Sequence, residues 1–458
     1  MEVEQISTNQ PNRVLRDILI DVVGTALDCR CINDCARNEA RQGRDIMSHR
    51  FVSHRFVAAA AAVILSVATP AYADEVVRIA YIDPLSGSLA ATGQLGEQHF
   101  RFAIDRANAS GAAGPGRKFE LVPMDNEVSP EKSLTLLRKA IDDGIHYITQ
   151  GNGSSVAFAL SDAVTKNNRR APNQAVMFLN YAAVDPGLVN DKCTWWHFRF
   201  DADVDMKMRA LTDYLVSQPQ FKKVYIFNPD YSFGQSVEKA AQSMLAGRRA
   251  DLQIVGTERV PLGKVKDFTP YIQKMQASGA DTVVTGNWGA DLALLSKAAQ
   301  DAGFKGTLLT YYMGSSDVIA GAGTGGEGYA QISEYHANLG IPELETMAAA
   351  FEAKYGQKFF YWRVVNEIDM LAAAMKQANS SDPAKVGQVL STMTIKTPLG
   401  EAVMREDNHQ LLQPMYVSIL QPGMPFTFPD NKMGFKTVSR IEGEAQRLPT
   451  TCKFQPPA

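Results

Sequence analysis

A short stretch of glycine, asparagine and serine offers the first group of side chains that can hold a ligand. It reads GNGSS from Gly151 to Ser155 and follows an apolar run at Tyr147 to Thr149. A helix is predicted to begin at about Val156, so the stretch stands at the amino-terminal end of that helix. Free N–H groups and the helix dipole favour an anion there. With its two serine hydroxyls the stretch indicates a carboxylate site, although Ser154 or Ser155 can equally be an ordinary helix cap.

Aromatic residues follow three other predicted strands, at the strand ends where open parallel sheets bind ligands. They are Tyr231, Phe233, Trp288, Tyr311 and Tyr312. Together they indicate a pocket with aromatic walls. Packing between lobes is the alternative for any one of them, because large aromatic side chains often fill cores and interfaces.

Catalytic motifs are mostly absent from the sequence, which contains no HExxH, GxSxG or Walker pattern. The glycines from Gly321 to Gly326 spell GxGxxG, but the residues after them resemble a strand rather than the required helix. Ser236 to Lys239 spells SxxK inside a helix pattern, without a KTG or SDN partner. We therefore expect no enzyme, no cofactor and no metal site.

Alternating strands and helices must position these residues. One series of strands is predicted at Val76 to Ile82, Leu121 to Pro123, Tyr147 to Thr149 and Val176 to Leu179. A second series is predicted at Val224 to Phe227, Ile254 to Val255, Thr282 to Thr285 and Leu308 to Tyr311. Helices between such strands specify parallel sheets covered on both faces. The predicted fold class is α/β, with two doubly wound, Rossmann-like lobes in tandem.

Three helices predicted after this point have no parallel strands of their own. They cover Leu344 to Tyr355, Trp362 to Ala378 and Pro383 to Met393. They must pack on one of the two existing sheets, so at least one lobe is discontinuous. Several chain crossings then join the lobes around a cleft that can hinge.

Length and charge agree with this organisation. The chain has 458 residues, 45% of them hydrophobic, and a formal net charge of -3. A single core stops growing at about 250 to 300 residues, which favours two lobes. The near-neutral charge and the lack of a long basic block argue against a nucleic-acid partner.

The segment from Met47 to Ala73 has the pattern of a signal peptide. Basic residues precede an apolar run from Phe56 to Val67, and Ala71-Tyr72-Ala73 provides the cleavage pattern. We predict cleavage after Ala73 and export to the periplasm. Residues 1–46 are then a non-native or disordered leader, with Met47 as the true initiator; an authentic extension with an internal anchor is the alternative.

The cysteines divide in the same way. Cys29, Cys31 and Cys35 lie in the leader and match no usual zinc or redox spacing. The exported chain keeps Cys193 and Cys452. These two can form a disulfide that ties the C-terminal tail to the body, or remain separate thiols; the sequence leaves both open.

The exported chain resembles the type I periplasmic substrate-binding proteins of the branched-chain amino-acid (leucine/isoleucine/valine-binding) ABC transporter class. The resemblance covers nearly all of Val76 to Leu420. Its most specific segments are IAYIDPLSG from Ile79, GNGSS from Gly151, DYSFG from Asp230 and KAAQDAG from Lys297. Their order and spacing carry the resemblance together.

This resemblance implies two lobes joined by three hinge crossings, near Arg199, Ser333 and Pro414, that close on a ligand like a Venus flytrap. The N-terminal lobe would comprise residues 74–199 and 334–413, and the C-terminal lobe residues 200–333 and 414–458. The resemblance also implies a carboxylate held by the first lobe, at Ser154, Ala182, Val184 and Thr92, although Val184 lacks the family's hydroxyl. The full set of candidate binding residues is Thr92, Asn152, Ser154, Ser155, Tyr181, Ala182, Val184, Phe233, Trp288 and Met313.

One departure bears on the ligand. Amino-acid-binding members hold the ligand's ammonium with an acidic residue, whereas the matching stretch, Tyr311 to Gly314, has none and Asp317 lies just beyond. A buried ammonium without a counter-charge is costly. Either Asp317 substitutes or the ligand has no ammonium. We favour a carboxylate with an aromatic or apolar body, and keep a branched-chain or other apolar amino acid as the second candidate.

The predicted function is that of a periplasmic solute receptor, which delivers its ligand to the permease subunits of an ABC importer in the inner membrane. A ligand-sensing regulatory protein of the same fold and an exported enzyme are the alternatives. The missing catalytic motifs argue against the enzyme. The predicted signal peptide and the lack of a recognisable kinase or DNA-binding module argue against the sensor.

Overall fold

The structure is a computed structural model that describes residues 75–457. The leader predicted at 1–46, the signal peptide predicted at 47–73 and its cleavage after Ala73 lie outside the described residues. Within residues 75–457 no helix is both long enough and apolar enough to cross a membrane.

Five parallel strands form the sheet of the first lobe. They are β1 (Glu75–Asp83), β2 (Arg117–Asp125), β3 (Tyr147–Gln150), β4 (Met177–Asn180) and β5 (His197–Arg199). Helices connect the first four strands: α1 (Ala90–Ser110), α2 (Pro130–Asp142) and α3 (Ser154–Arg170). The sheet order is β2-β1-β3-β4-β5. β3 and β4 are buried at every residue, as expected for strands covered on both faces.

A second strand–helix series forms most of the second lobe. Its strands are β6 (Lys223–Pro229), β7 (Gln253–Val260), β8 (Thr282–Thr285), β9 (Thr307–Thr310) and β10 (Ala330–Ser333). Its helices are α4 (Val204–Ser217), α5 (Ser232–Leu245), α6 (Thr269–Ala277), α7 (Gly289–Asp301) and α8 (Ser316–Ala322). These five strands run parallel, because each follows a helical crossover.

The chain then returns to the first lobe. The returning helices are α9 (Pro342–Tyr355), α10 (Trp362–Ala378) and α11 (Pro383–Leu390). Their buried apolar side chains join the same core as those of β1 and α1. A small antiparallel sheet follows, made of β11 (Thr394–Thr397), β12 (Gly400–Met404) and β13 (Leu411–Leu412).

Two final strands, β14 (Met415–Pro422) and β15 (Met433–Ile441), extend the second sheet. The complete order is β15-β14-β10-β9-β8-β6-β7, with β14 and β15 antiparallel to their neighbours. The predicted α/β fold class with two Rossmann-like lobes is confirmed. The prediction of a wholly parallel second sheet is wrong at this edge. From Lys436 onward β15 is mostly exposed, so this half of the strand carries little of the apolar alternation that identifies a strand.

Four buried charged side chains lie close to the segments where the chain crosses between the lobes. The chain leaves the first lobe after β5, returns after β10 and leaves again between β13 and β14. Arg363 Nη1 of α10 lies 2.9 Å from Glu334 Oε1 and 3.6 Å from Asp201 Oδ2, while Lys207 Nζ lies 2.8 Å from Asp201. Two acids and two bases thus compensate one another in a region closed to water.

The C-terminal tail runs back to the first lobe. A disulfide joins Cys193 and Cys452, whose Cα atoms are 5.6 Å apart. Thr450 Oγ1 donates a hydrogen bond to the carbonyl of Val189 at 3.0 Å, and the ring of Phe454 packs on a first-lobe histidine. The tail therefore contacts the first lobe, although the sequence placed residues 414–458 as a whole in the second.

Candidate functional site

A cavity of about 240 Å³ lies between the lobes. One wall comes from α1 and the loops after β3 and β4, and the other from the loops after β6, β8 and β9. These are the carboxyl ends of parallel strands, where open sheets bind ligands. The cavity lining includes seven of the predicted binding residues: Thr92, Asn152, Ser154, Ala182, Val184, Phe233 and Trp288.

Three predicted residues do not line the cavity. Ser155 Oγ lies 3.4 Å from Ser232 Oγ of the second lobe, because the next residue of a helix points in a different direction from Ser154. Tyr181 is fully buried behind the wall, where its hydroxyl accepts a hydrogen bond from Asn152 Nδ2 at 2.9 Å. Met313 is fully buried in the apolar core of the second lobe. Tyr181 and Met313 therefore support the site without reaching its ligand space.

The loop between β3 and α3 is held from beneath by Asp83 at the end of β1. The Asp83 carboxylate accepts hydrogen bonds from the N–H groups of Gly151 at 3.1 Å and Asn152 at 2.9 Å. These N–H groups, expected from the sequence to face an anion, are therefore committed to a buried carboxylate. Gly153, with φ of +100°, caps α3 without a side-chain hydrogen bond. The first N–H groups of α3, which have no partner within the helix, thus remain for a ligand.

The other first-lobe contacts are mostly hydroxyl and methyl groups. A Cβ on Gly93 would lie 1.8 Å from the Pro84 carbonyl oxygen, so a glycine is needed to seat α1 against the end of β1. This close approach brings the neighbouring Thr92 to the cavity. The N–H of Ala182 donates to Asn180 Oδ1 at 3.2 Å, so Ala182 offers its methyl group rather than its amide.

Aromatic side chains form the second-lobe wall. Trp288 Nε1 donates a hydrogen bond to the hydroxyl of Tyr231 at 2.9 Å, which fixes the indole. The ring of Phe233 lies 5.9 Å from that of Tyr231 and 6.2 Å from that of Tyr312. Trp288 and Phe233 are almost fully buried. The wall thus offers flat apolar surfaces to a ligand, with its polar groups already paired.

Among the described residues, one acidic and one basic side chain line the cavity: Asp317 and Arg363. Asp317 is exposed at the rim. Arg363 is buried, bonded to Glu334, and its guanidinium lies 4.5 Å from the centre of the Tyr361 ring. The positive charge of Arg363 is therefore already neutralised and stacked. A cationic group inside the cavity would find its nearest lining counter-charge only at the solvent-exposed rim.

Two further carboxyl groups are buried behind the β3–α3 loop. Burial raises the pKa of Asp83 to about 7, even though its hydrogen bonds from Asn152 and Gly151 favour the charged form. Burial raises the pKa of Glu367 on α10 to about 8, opposed in part by the Thr149 hydroxyl. Both groups lie outside the cavity lining but under one of its walls.

The sequence did not single out the part of the lining contributed by the start of α10 and the segment before it. Gln357, Phe360, Tyr361 and Arg363 all line the cavity although they lie more than a hundred residues after the loops of the first lobe. The only available signal was the cluster of aromatic residues beside an arginine at the predicted start of that helix. Tyr312, next to the predicted Met313, also lines the cavity.

The structure shows where the two partial motifs, SxxK and GxGxxG, lie in the fold. Ser236 Oγ on α5 donates a hydrogen bond to Asp185 Oδ2 of the first lobe at 3.0 Å, so the SxxK serine joins the two lobes. The GxGxxG stretch covers the end of α8 and a short 3₁₀ helix, and β10 rather than a helix follows it. Residues 75–457 contain no group of three or more His, Cys, Asp or Glu side chains arranged to hold a metal ion.

Comparison with known proteins adds a family. The family described as "Periplasmic binding protein" matches residues 76–423. The Leu/Ile/Val-binding protein homolog 4 of Brucella abortus is 27% identical over 392 residues, which cover 84% of this chain and 94% of that protein.

Solved structures show the same fold. The leucine-, isoleucine-, valine-, threonine- and alanine-binding protein of Brucella ovis, in its closed conformation, superposes with a TM-score of 0.73 at 27% identity and covers 84% of this chain and all of that one. A solute-binding protein of an ABC transporter from Rhodopseudomonas palustris, in complex with 3,4-dihydroxybenzoic acid, gives a TM-score of 0.70 at 17% identity, covering 80% and 98%. At that identity the second likeness concerns the fold alone.

Proposed function

The chain belongs to the type I periplasmic binding proteins of the branched-chain amino-acid transporter family, and from this premise we propose that it binds a small carboxylate with an aromatic or apolar body. Proteins of this family are solute-binding proteins of ABC transporters. The proposed ligand lies in the cavity between the lobes, and the closed protein delivers it to membrane permease subunits. Export as a periplasmic protein, with cleavage after Ala73, is part of the proposal.

The observation that carries the ligand class is the distribution of charge around the cavity. The first-lobe wall offers the start of α3 and the hydroxyls of Ser154 and Thr92, which suit a carboxylate. The opposite wall offers Trp288 and Phe233. The lining carboxylate, Asp317, is exposed, so an ammonium inside the cavity would have no buried counter-charge.

An apolar amino acid is the second candidate. The Brucella relatives are named for leucine, isoleucine and valine binding, and Asp317 does reach the cavity lining. In this alternative the ammonium points toward the rim. The two candidates differ in whether the Asp317 charge contributes to affinity.

Calorimetric titration of the chain from Asp74 to Ala458 tests the proposal with matched ligands. Benzoate and 4-methylbenzoate are expected to bind, whereas 4-methylbenzamide, which lacks the anion, and leucine are not. Asp317→Asn should leave binding of the aromatic acids unchanged, and Ser154→Ala should weaken it several-fold. Leucine binding that Asp317→Asn abolishes would replace the first candidate by the second. An absence of binding by every carboxylate and amino acid would contradict both.

A further inference from the structure

Asp83 and the proposed ligand carboxylate lie on opposite sides of one short backbone segment, the loop between β3 and α3. On the inner side, the Asp83 carboxylate accepts hydrogen bonds from the N–H groups of Gly151 at 3.1 Å and Asn152 at 2.9 Å. On the outer side, Gly151, Asn152, Gly153 and Ser154 line the ligand cavity. The same loop would therefore hold a negative group on each of its two sides when the ligand is bound.

The region between this loop and Asp83 is closed to water. Asp83 is fully buried. A Cβ on Gly151 would lie 2.6 Å from Tyr181 Cε1, so the loop rests directly on that ring. Asn152 Nδ2 donates a hydrogen bond to the Tyr181 hydroxyl at 2.9 Å, and Gln150 Nε2 donates one to the Asn152 carbonyl at 2.8 Å. Charges in such a region interact more strongly than charges at the surface, because little solvent screens them.

No basic side chain compensates the charge of Asp83. None of the ion pairs within residues 75–457 involves Asp83, and Arg363, which acts on the nearby Tyr361, is bonded to Glu334. His99 of α1 stays neutral, because burial lowers its pKa to about 3. The remaining titratable groups that face Asp83 or its neighbours are hydroxyls and carboxyls: Tyr81, Tyr181, Tyr361, Glu97, Glu367 and, at the paired position of β2, Asp125.

Within this cluster Asp83 is the group that changes its charge near neutral pH. Burial raises the pKa of Asp83 to about 7, whereas burial raises the pKa of Glu367 to about 8, so Glu367 keeps its proton longer. A ligand carboxylate on the other side of the loop adds a like charge. Like charges disfavour ionisation, which should raise the pKa of Asp83 further, to roughly 8 in the complex.

We infer that Asp83 takes up a proton when an anionic ligand binds, so that affinity for the ligand falls as the pH rises through neutrality. The sign follows from the charges, since an ionised Asp83 repels the ligand carboxylate and a protonated one does not. The coupling is reciprocal, because a ligand that favours the protonated form is itself favoured by that form. Both candidate ligands of the proposed function, on which this inference rests, carry the carboxylate.

Calorimetric titration of benzoate at about pH 7.5, in HEPES and in Tris, measures the proton uptake, because the two buffers have different heats of ionisation. The wild type should take up about half a proton, as expected for a carboxyl whose pKa moves from about 7 to roughly 8. Between about pH 6 and about pH 8.5, where benzoate stays ionised, its affinity should fall about sevenfold. Leucine is the probe in the same titrations if it binds and benzoate does not.

Three variants assign the proton to its site. Asp83→Asn cannot ionise and should take up no proton. Asp125→Asn is the matched control, since hydrogen bonds from Ser86 and Leu85 outweigh partial burial and lower the pKa of Asp125 to about 2; its uptake should equal that of the wild type. Glu367→Gln removes the other buried carboxyl and should also retain the uptake.

Tyr181→Phe decides the question if Asp83→Asn does not fold. The Tyr181 hydroxyl favours the charged form of Asp83, so its removal should move the proton uptake to higher pH. Benzoate binding without proton uptake would overturn the inference and leave the proposed function standing. Uptake that persists in a folded Asp83→Asn, or that Tyr181→Phe leaves at the same pH, would also overturn it. An absence of binding by benzoate, 4-methylbenzoate and leucine would contradict the proposed function together with this inference.

Discussion

The buried carboxyl of Glu367 should make the stability of this protein depend strongly on pH in the alkaline range. Burial raises its pKa to about 8 from an ordinary value of 4.5. A pKa raised on folding means that the folded state holds the proton more tightly. The stability that the protonated carboxyl contributes is fully present at pH values below its pKa in the unfolded state. It is lost as the pH rises through its pKa in the folded state.

The magnitude follows from the two pKa values. At about 1.4 kcal/mol per unit, raising the pH from about 6 to about 9 should lower the free energy of unfolding by about 3 kcal/mol through Glu367 alone. Asp83, with a pKa of about 7, acts in the same direction. His99 and His336 have depressed pKa values and act in the opposite direction. The folded protein loses the stability that these neutral histidines contribute as the pH falls below about 6.5.

Urea unfolding of wild type and Glu367→Gln at both pH values isolates the effect. The variant keeps the shape of the side chain but cannot ionise, so its pH dependence should be smaller by about 3 kcal/mol. The histidines and Asp83 are common to both proteins, so the difference between the two pH dependences reports mainly on Glu367. Glu401→Gln, at an exposed strand position, is the control and should behave as wild type. Equal pH dependences in wild type and Glu367→Gln would refute the reasoning.

Three other outcomes are expected. Trp288→Ala should weaken ligand binding about tenfold or more by removing apolar contact, measured by titration calorimetry, and should also lower the unfolding midpoint because the indole is almost fully buried; unaltered affinity in the folded variant would remove the indole from the site. Cys452→Ser should lower the free energy of urea unfolding by about 2–4 kcal/mol, and a reducing agent should then have no further effect on the variant. Ser236→Ala removes the hydrogen bond to Asp185 across the cleft and should speed ligand dissociation several-fold in stopped flow, whereas Ser243→Ala, which loses only a bond to its own helix, should not.

Strand and helix positions followed from local sequence where the apolar pattern was strong. β8 was predicted at its observed bounds because all four of its residues are β-branched, which favours a strand. α10 was also predicted at its observed bounds, because its apolar residues recur with helical spacing. β14 and β15 were not predicted, because they lie outside the strand–helix series and their partners are determined only at the edge of the assembled sheet. α4 was also missed, although the Asp203 carboxylate caps it by accepting a hydrogen bond from the N–H of Met206.

Candidate site residues were predictable in so far as each followed a strand. Thr92, Ser154 and Trp288 stand in loops at carboxyl ends of parallel strands, and the topology brings such loops together whatever their distance along the chain. The resemblance to a known family indicated which of these loop residues to propose as ligand contacts. It also proposed Met313, whose side chain lies in the core instead.

The tertiary structure alone decided how the polar groups are paired. Asp83 reaches the N–H groups of Gly151 and Asn152 across 68 and 69 residues of sequence, and takes them away from any ligand. Arg363 lines the cavity but is neutralised by Glu334, 29 residues earlier. A sequence specifies which donors and acceptors exist, whereas hydrogen bonds and ion pairs depend on distances of a few ångströms that only the packed fold establishes.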